Sequence, residues 1–79
     1  MKRGEVRWYT FKAPDKRRPV LVLTRGTAIG FLNSVTVAPI TTTIREIPSE
    51  LYLDQDDGMD EPCVANFDNI VTLPKDQLS

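Results

Sequence analysis

The sequence predicts a mainly β domain with little helix, folded as a small barrel or a compact sandwich. Its apolar segments are short and separated by glycine and proline, and no sustained period of 3.6 residues marks a long helix. Six such segments in so short a chain are typical of small barrels and sandwiches. With 79 residues, we expect a single domain over residues 1–79.

Two strands are predicted in the first third of the chain. Glu5–Thr10 alternates between its two sides, which favours a strand with one buried face. Val20–Thr24 is a continuous β-prone run, which predicts a central strand buried on both faces. Pro19 suits the first position of that strand because proline cannot donate to a strand ladder. The intervening Phe11–Arg18 carries a proline and several charges, so it predicts a loop.

The middle of the chain predicts two further strands. Val35–Ala38 alternates and is closed by Pro39, and Glu50–Leu53 is the next short β-prone segment. Gly26–Asn33 contains two glycines and predicts a loop, whereas the polar Thr41–Pro48 predicts a turn.

The last third predicts two short strands, Cys63–Phe67 and Ile70–Leu73. Lys75–Leu78 follows Pro74 and predicts a first helical turn. Asp54–Pro62 is an acidic loop whose alternating acids mimic part of an EF-hand calcium loop. The closing bidentate glutamate and the flanking helices are missing, so we expect a solvated loop and no metal.

Composition excludes several classes of function. The chain has no histidine, which excludes histidine-based acid–base catalysis, Ser-His-Asp triads and most transition-metal sites. A single cysteine excludes an internal disulfide framework and favours a reducing compartment. The apolar runs are too short to span a membrane, and no signal peptide is recognisable, so we expect a cytoplasmic protein.

Charge is unevenly distributed along the chain. Residues 1–47 carry nine basic and three acidic residues, a net charge of +6, whereas residues 48–79 carry one basic and eight acidic residues, a net charge of −7. Such asymmetry indicates a polyanion-binding face on the first part. Two solvated faces that attract each other are the alternative explanation.

Four segments together resemble the MazF/PemK family of toxin endoribonucleases. Lys2–Val6, followed by an aromatic pair, resembles the family's opening, and Arg18–Leu23 is similar to its Arg-Pro-hydrophobic strand. Val35–Thr41 resembles the strand that ends in Pro-hydrophobic-Thr, and Cys63–Leu78 resembles the block before the last helix. Their order and spacing cover nearly the whole chain.

The resemblance implies a Src-homology-3-like barrel of the MazF/PemK (Kid/CcdB-like) toxin type that forms a homodimer. It implies cleavage of single-stranded RNA, in particular mRNA, without a metal or other cofactor, through 2′-OH attack that leaves a 2′,3′-cyclic phosphate and a 5′-OH. It also implies a cognate MazE-like antitoxin whose flexible tail occupies the RNA groove. The two catalytic positions of the family fall on Arg18 and Thr41.

Physical chemistry supports this assignment. Attack by the 2′-OH produces a dianionic phosphorane, and without histidine a cationic electrophile must stabilise it. A guanidinium stays charged and can bind two phosphate oxygens at once, which suits Arg18. Thr41 offers a hydroxyl donor, although Thr42 or Thr43 could be the matching threonine. Glu5 and Asp68 are conceivable proton acceptors.

Further residues are candidates for RNA contact. Trp8 could stack on a base or belong to the core. Arg17 is a supporting phosphate contact or a solvated charge, and Asp68 and Asn69 could read a base edge or cap a strand end. Cys63 is expected to be a small buried apolar residue. The predicted RNA contacts are Trp8, Lys16, Arg17, Arg25, Asp68 and Asn69.

Three departures from the family pattern affect the predicted activity. The loop over residues 12–17 is short, and Val71 stands where the family usually has arginine. The chain also ends near the expected start of the family's C-terminal helix, so we expect a C-terminally truncated domain. The alternative function is therefore a non-catalytic barrel that binds an antitoxin peptide or single-stranded nucleic acid. The same fold class also hosts a gyrase-poisoning toxin.

Overall fold

The chain folds into two small antiparallel sheets that share one long strand. The computed structural model describes residues 1–11 and 16–79. Within these residues, one short helix, α1 (Gly26–Ile29), and two single 3-10 turns, Gln55–Asp57 and Phe67–Asn69, join the strands, and a third 3-10 turn, Lys75–Gln77, follows the last strand. Within the described residues the strands are β1 (Val6–Thr10), β2 (Arg17–Val22), β3 (Ser34–Thr41), β4 (Glu50–Leu53), β5 (Cys63–Asn66) and β6 (Val71–Pro74).

The shared strand β3 organises the topology. It pairs with β2 along one edge through Val37–Pro39. Along its other edge the first half pairs with β6 and the last two residues pair with β5. One sheet therefore runs β1-β2-β3-β6 and the other runs β3-β5-β4. A strand that belongs to two sheets in this way forms a corner of a small barrel.

Two apolar clusters fill the two faces of β2 and β3. Side chains alternate along a strand, so Val20 and Val22 face one cluster while Leu21 faces the other. All three are buried, which confirms the predicted two-faced central strand. The first cluster contains Val20, Val22, Ile29, Val35, Val37, Leu73 and Leu78, and the second contains Leu21, Ala38, Ile40, Leu53, Cys63 and Ala65.

Several predicted boundaries were wrong around β2 and β3. Arg17 and Arg18 were predicted in a loop, but both lie in β2, because they pair with Thr10 and Tyr9 of β1. The remainder of that predicted loop, residues 12–15, lies outside the described residues. Pro39 was predicted to close β3, yet the strand continues through Thr41.

Strand register explains why β3 tolerates a proline. Val22 N–H donates to the Glu5 carbonyl oxygen on the β1 side (2.9 Å), so by alternation Val20 also points its backbone groups towards β1. Pro39, which is opposite Val20, consequently points its nitrogen away from β2. On that edge β3 changes partner from β6 to β5, and neither Ala38 nor Pro39 has a register partner there. The missing N–H therefore removes no ladder hydrogen bond.

Smaller corrections concern the connections. The predicted loop Gly26–Asn33 contains α1, whose Ile29 is buried in the first cluster and fixes this turn to the sheet. The two last strands are shifted, and Phe67 begins a 3-10 turn instead of ending β5. The prediction for β4 was confirmed residue for residue. Within residues 1–11 and 16–79, no helix has the length and apolar character needed to span a bilayer.

Candidate active site

Two clefts lie on either side of the point where β2 begins and β3 ends. The first has a volume of about 720 Å³ and the second of about 470 Å³. Arg18 of β2 and Thr41 of β3 line both clefts. The pair predicted as catalytic therefore forms the wall between two neighbouring depressions.

Strand register explains why the side chains of Arg18 and Thr41 line the same clefts. Leu21 pairs with Ala38 and Val20 with Pro39. Continuing this antiparallel register by two residues sets Thr41 across from Arg18, with both side chains on the same face of the sheet. The β2–β3 ladder itself ends at Val20 and Pro39, and beyond it Arg18 and Thr41 line the two clefts.

Thr41 is the partly buried member of the threonine run, since Thr42 and Thr43 are both exposed. Its Oγ1 accepts a hydrogen bond from the Thr43 backbone N–H (3.2 Å), which orients the hydroxyl oxygen. The hydroxyl keeps its own proton for donation to a ligand.

A cationic and aromatic surface forms one side of the first cleft. The Arg17 guanidinium carbon lies 4.8 Å from the centroid of the Trp8 ring, within range of a cation–π interaction. Trp8 is 40% exposed, which rules out the alternative that it belongs to the core. Its backbone is fixed by two hydrogen bonds with Ser79, at 3.1 and 2.9 Å. Lys16, at a left-handed φ of 58°, also lines this cleft.

The opposite side of the first cleft is acidic. Asp57, Asp60 and Glu61 of the loop between β4 and β5 line it. Cys63 lies beneath them and is nearly fully buried, as expected. Burial raises the pKa of the Cys63 thiol, and the charges of Glu61 and Asp57 raise it further. The thiol is therefore protonated at neutral pH and is a poor nucleophile.

The second cleft has a different character. It contains Arg18, Thr41, Arg45, Asn66 and Asn69, and none of the described residues that line it is a carboxylate. Of the predicted RNA contacts outside the Arg18–Thr41 pair, only Asn69 lies in this cleft. Arg45 was missed, because the polar segment Thr41–Pro48 was interpreted only as a turn.

Arg45 is held in place by the carboxylate of Glu50, a side chain that is almost fully buried. The Glu50 side chain is 2% exposed, and its Oε2 accepts from Arg45 Nε at 3.2 Å. Its Oε1 accepts from the backbone N–H groups of Arg45 (2.9 Å) and Glu46 (3.2 Å). The hydrogen bond from the Arg45 backbone N–H, the largest cause, and the Arg45 guanidinium hold the pKa of Glu50 below its ordinary value of 4.5.

Three other predicted residues are not brought to the clefts. Asp68 accepts a hydrogen bond from Ser49 Oγ (2.6 Å) at its Oδ2 and lines neither cleft. Arg25 precedes α1, where its carbonyl oxygen accepts from backbone N–H groups of the helix, and it also lines neither cleft. Glu5 is hydrogen-bonded and ion-paired to Arg7 (2.6 Å), which lowers its pKa. Both candidate proton acceptors, Glu5 and Asp68, thus lie apart from the Arg18–Thr41 pair.

Carboxylates and the cysteine do not form a metal centre in the part of the chain that the structure describes. No group of three or more such side chains converges there in a way that could hold an ion. Apart from the carboxylates on one side of the first cleft, the clefts offer guanidinium, hydroxyl, amide and aromatic groups, which are suited to binding phosphate and bases.

Comparison with known proteins gives a consistent result. The sequence profile of the PemK-like, MazF-like toxins of type II toxin–antitoxin systems matches residues 2–79. Endoribonuclease MazF3 of Mycobacterium tuberculosis is 48% identical over 60 residues, which are 76% of this chain and 58% of the relative. The probable endoribonuclease MazF2 of the same organism is 43% identical over 76 residues, 95% of this chain and 72% of the relative. The chain thus spans less than two thirds of MazF3.

Solved structures share the fold. The Mycobacterium tuberculosis toxin MazF-mt6 superimposes with a TM-score of 0.84 at 40% identity, over 94% of this chain and 72% of that protein. A mycobacterial endoribonuclease in complex with its cognate antitoxin gives a TM-score of 0.85 at 29% identity, over 100% of this chain and 73% of that protein. The predicted fold class is therefore confirmed. On sequence and structure together, the chain belongs to the PemK-like, MazF-like toxin family of type II toxin–antitoxin systems.

Proposed function

We propose that the chain is the toxin of a toxin–antitoxin pair and cleaves single-stranded RNA without a metal, through attack of the RNA's own 2′-OH. The observation that carries the proposal is that Arg18 of β2 and Thr41 of β3 both line each of the two clefts. Family membership and the endoribonuclease names of its relatives MazF3 and MazF2 support it.

The chemistry assigned to the pair follows from charge. When the 2′-oxygen bonds to phosphorus, the phosphate gains negative charge, and the bond to the 5′-oxygen then breaks. The Arg18 guanidinium stabilises that charge with a planar pair of N–H donors. The Thr41 hydroxyl donates a hydrogen bond to a phosphate oxygen and fixes the orientation of the group. The proton of the attacking 2′-OH passes to solvent water, the leaving 5′-oxygen takes a proton from water and becomes a hydroxyl, and the RNA retains a 2′,3′-cyclic phosphate.

The two clefts are assigned different parts of the RNA. Carboxylates on one side of the first cleft repel phosphate, whereas Trp8 and Arg17 offer flat surfaces for a base. The second cleft has two guanidinium groups and no carboxylate among its described lining residues, which suits the phosphate chain. Lys16 adds a phosphate contact at the outer edge, and Asn69 bonds a base edge.

We infer that the natural inhibitor of this chain is an antitoxin with an acidic, flexible segment. The first 47 residues carry a net charge of +6, and a tail of aspartate and glutamate would compete with RNA for the same cations. One structural neighbour is an endoribonuclease in complex with its cognate antitoxin, which supports this partner. In a titration, the candidate antitoxin should displace bound RNA, and simultaneous binding of both would contradict a shared groove.

We also propose that the chain acts as a homodimer, as the family resemblance implies. Large apolar side chains are strongly exposed, among them Phe31 (91%), Tyr52 (53%) and Ile70 (52%). Burial of such side chains between two copies of the chain would remove apolar surface from water. Sedimentation equilibrium should give twice the monomer mass of 8.9 kDa, and a monomer at all accessible concentrations would contradict the dimer.

The role of the 2′-OH provides the test of the proposed reaction. Once a cut has been mapped in a long single-stranded RNA, the same oligonucleotide is prepared with a 2′-deoxy sugar on the 5′ side of the cut. We expect this analogue to bind as tightly as the all-ribose RNA and to remain intact. Cleavage of the analogue would exclude attack by the 2′-OH. If the chain binds the long RNA and no cut can be mapped in it, the result would favour the non-catalytic alternative.

A further inference from the structure

Arg45 brings a second guanidinium into the second cleft, whose described lining residues include no carboxylate. It lies with Arg18 and Thr41 around the second cleft, and its side chain is 54% exposed. The contact from Nε to Glu50 uses one N–H donor of the guanidinium, which has several. The group therefore combines a fixed position with donors that a ligand in the cleft can reach.

The backbone conformation next to Arg45 is energetically unfavourable and is stabilised by hydrogen bonds to Glu50. Glu46 has a φ of 57°, a left-handed conformation that non-glycine residues adopt rarely. With this turn, the backbone N–H groups of Arg45 and Glu46 converge on one carboxylate oxygen of Glu50. The other oxygen holds Arg45 Nε. A single carboxylate at the start of β4 thus holds both the backbone and the side chain of Arg45.

We propose that Arg45 binds an RNA phosphate next to the one at Arg18, and that Glu50 is the positioning residue that holds Arg45 in the second cleft. The inference rests on the proposed function in so far as the ligand is RNA. The charge of Glu50 alone should weaken RNA binding, because a carboxylate close to a phosphate site repels RNA. In this proposal Glu50 nevertheless strengthens RNA binding, because it holds the Arg45 guanidinium in place.

That contrast gives a test in which simple electrostatics and positioning predict opposite results. Binding is measured with a single-stranded RNA made uncleavable by 2′-O-methyl sugars, as a function of salt, for wild type, Arg45→Ala, Glu50→Gln and the double variant. Removing the negative charge of Glu50 should tighten binding if the residue acts only through its charge. Positioning predicts that Glu50→Gln weakens binding instead.

The expected magnitudes follow from the loss of one phosphate contact. Arg45→Ala should raise Kd about tenfold and reduce the slope of log K against log salt by about 0.7. Glu50→Gln should weaken binding in the same direction in wild type and cause no further loss in the Arg45→Ala background. Lys2→Ala is the matched control, because it removes one exposed cation that lines neither cleft, and its salt slope should equal that of wild type.

A conservative variant separates positioning from a purely structural effect. Arg45→Lys keeps the charge but loses the planar Nε contact, so it should restore most of the salt slope while Kd stays weaker than in wild type. This variant and Arg45→Ala also keep the test valid if Glu50→Gln fails to fold, which circular dichroism will reveal.

The proposal is overturned if Glu50→Gln tightens binding, or if it weakens binding equally with and without Arg45. It is also overturned if Arg45→Ala and Lys2→Ala show the same slope. None of these readouts requires cleavage, so an inactive protein that still binds RNA through Arg45 would refute the proposed nuclease and leave this inference standing.

Discussion

Replacement of Arg18 tests the electrostatic part of the proposed reaction. In the transition state the phosphate carries about one more negative charge than in the substrate. A guanidinium in direct contact with a phosphate places the two charges about 4 Å apart. Such a pair is worth about 4 kcal/mol at an effective dielectric of about 20 and about 1 kcal/mol in bulk water. Arg18 is exposed on the cleft wall, so its environment lies between these limits.

An intermediate loss of about 2–3 kcal/mol corresponds to a decrease of kcat by roughly 30- to 150-fold in Arg18→Ala. Arg18→Lys keeps the charge without the planar pair of donors, so it should lose about tenfold. Single-turnover cleavage of an end-labelled RNA by saturating protein measures the chemical step directly. Lys2→Ala is the control for general loss of charge, and melting curves check the fold.

The reasoning is refuted if Arg18→Ala cleaves within twofold of wild type. If Arg18→Lys is as impaired as Arg18→Ala, the geometry of the donors rather than the charge is responsible. An effect on KM alone would mean that Arg18 binds the substrate and transition state equally.

Four further predictions concern the site and the core. Thr41→Val should reduce kcat by about 10- to 100-fold through loss of a hydrogen bond to a charged phosphate, whereas Thr42→Val should cost less; a larger loss at Thr42 in single-turnover assays would move the assignment. Trp8→Ala should weaken RNA binding by about 1–3 kcal/mol per stacked base, seen in fluorescence anisotropy titrations, and unchanged affinity would exclude stacking. Val37→Ala, at a fully buried position, should lower stability by about 2 kcal/mol and Tm by roughly 10 °C, and a calorimetric shift near zero would contradict the core described above. Folding lowers the pKa of Glu50, so the stability that this carboxylate contributes is complete above its ordinary pKa of 4.5 and is lost as the pH falls through the lower folded value. The difference in unfolding free energy between wild type and Glu50→Gln should therefore decrease in acid. A difference that increases in acid would contradict the assignment.

Much of the sheet could be predicted because strand patterns are local. The buried run at Val20–Val22 and the strand Glu50–Leu53 follow from residue type and alternation alone. Arg17 and Arg18 were assigned to a loop because consecutive charges are typical of loops. What holds them in β2 is cross-strand pairing with β1, which a local pattern does not contain.

The site was predicted only in part, and for a similar reason. Arg18 and Thr41 followed from resemblance, and the two clefts that both residues line became visible only in the folded sheet. Arg45 and Glu50 were missed because their contact depends on the left-handed turn at Glu46, and glutamate gives no sequence signal for that conformation. The RNA contact of Asp68 stays a prediction, and its hydrogen bond with Ser49, 19 residues earlier in the chain, could not be predicted from a local pattern.

The fate of a long single-stranded RNA in the presence of EDTA tests the central claim most directly. The purified chain and its Arg18→Ala variant are incubated with the same RNA, and the product ends are identified by mass spectrometry. The account predicts discrete cuts with 2′,3′-cyclic phosphate and 5′-hydroxyl ends for wild type and a strong loss of those cuts in the variant. Intact RNA with a folded wild-type protein, or products with 5′-phosphate ends, would contradict it.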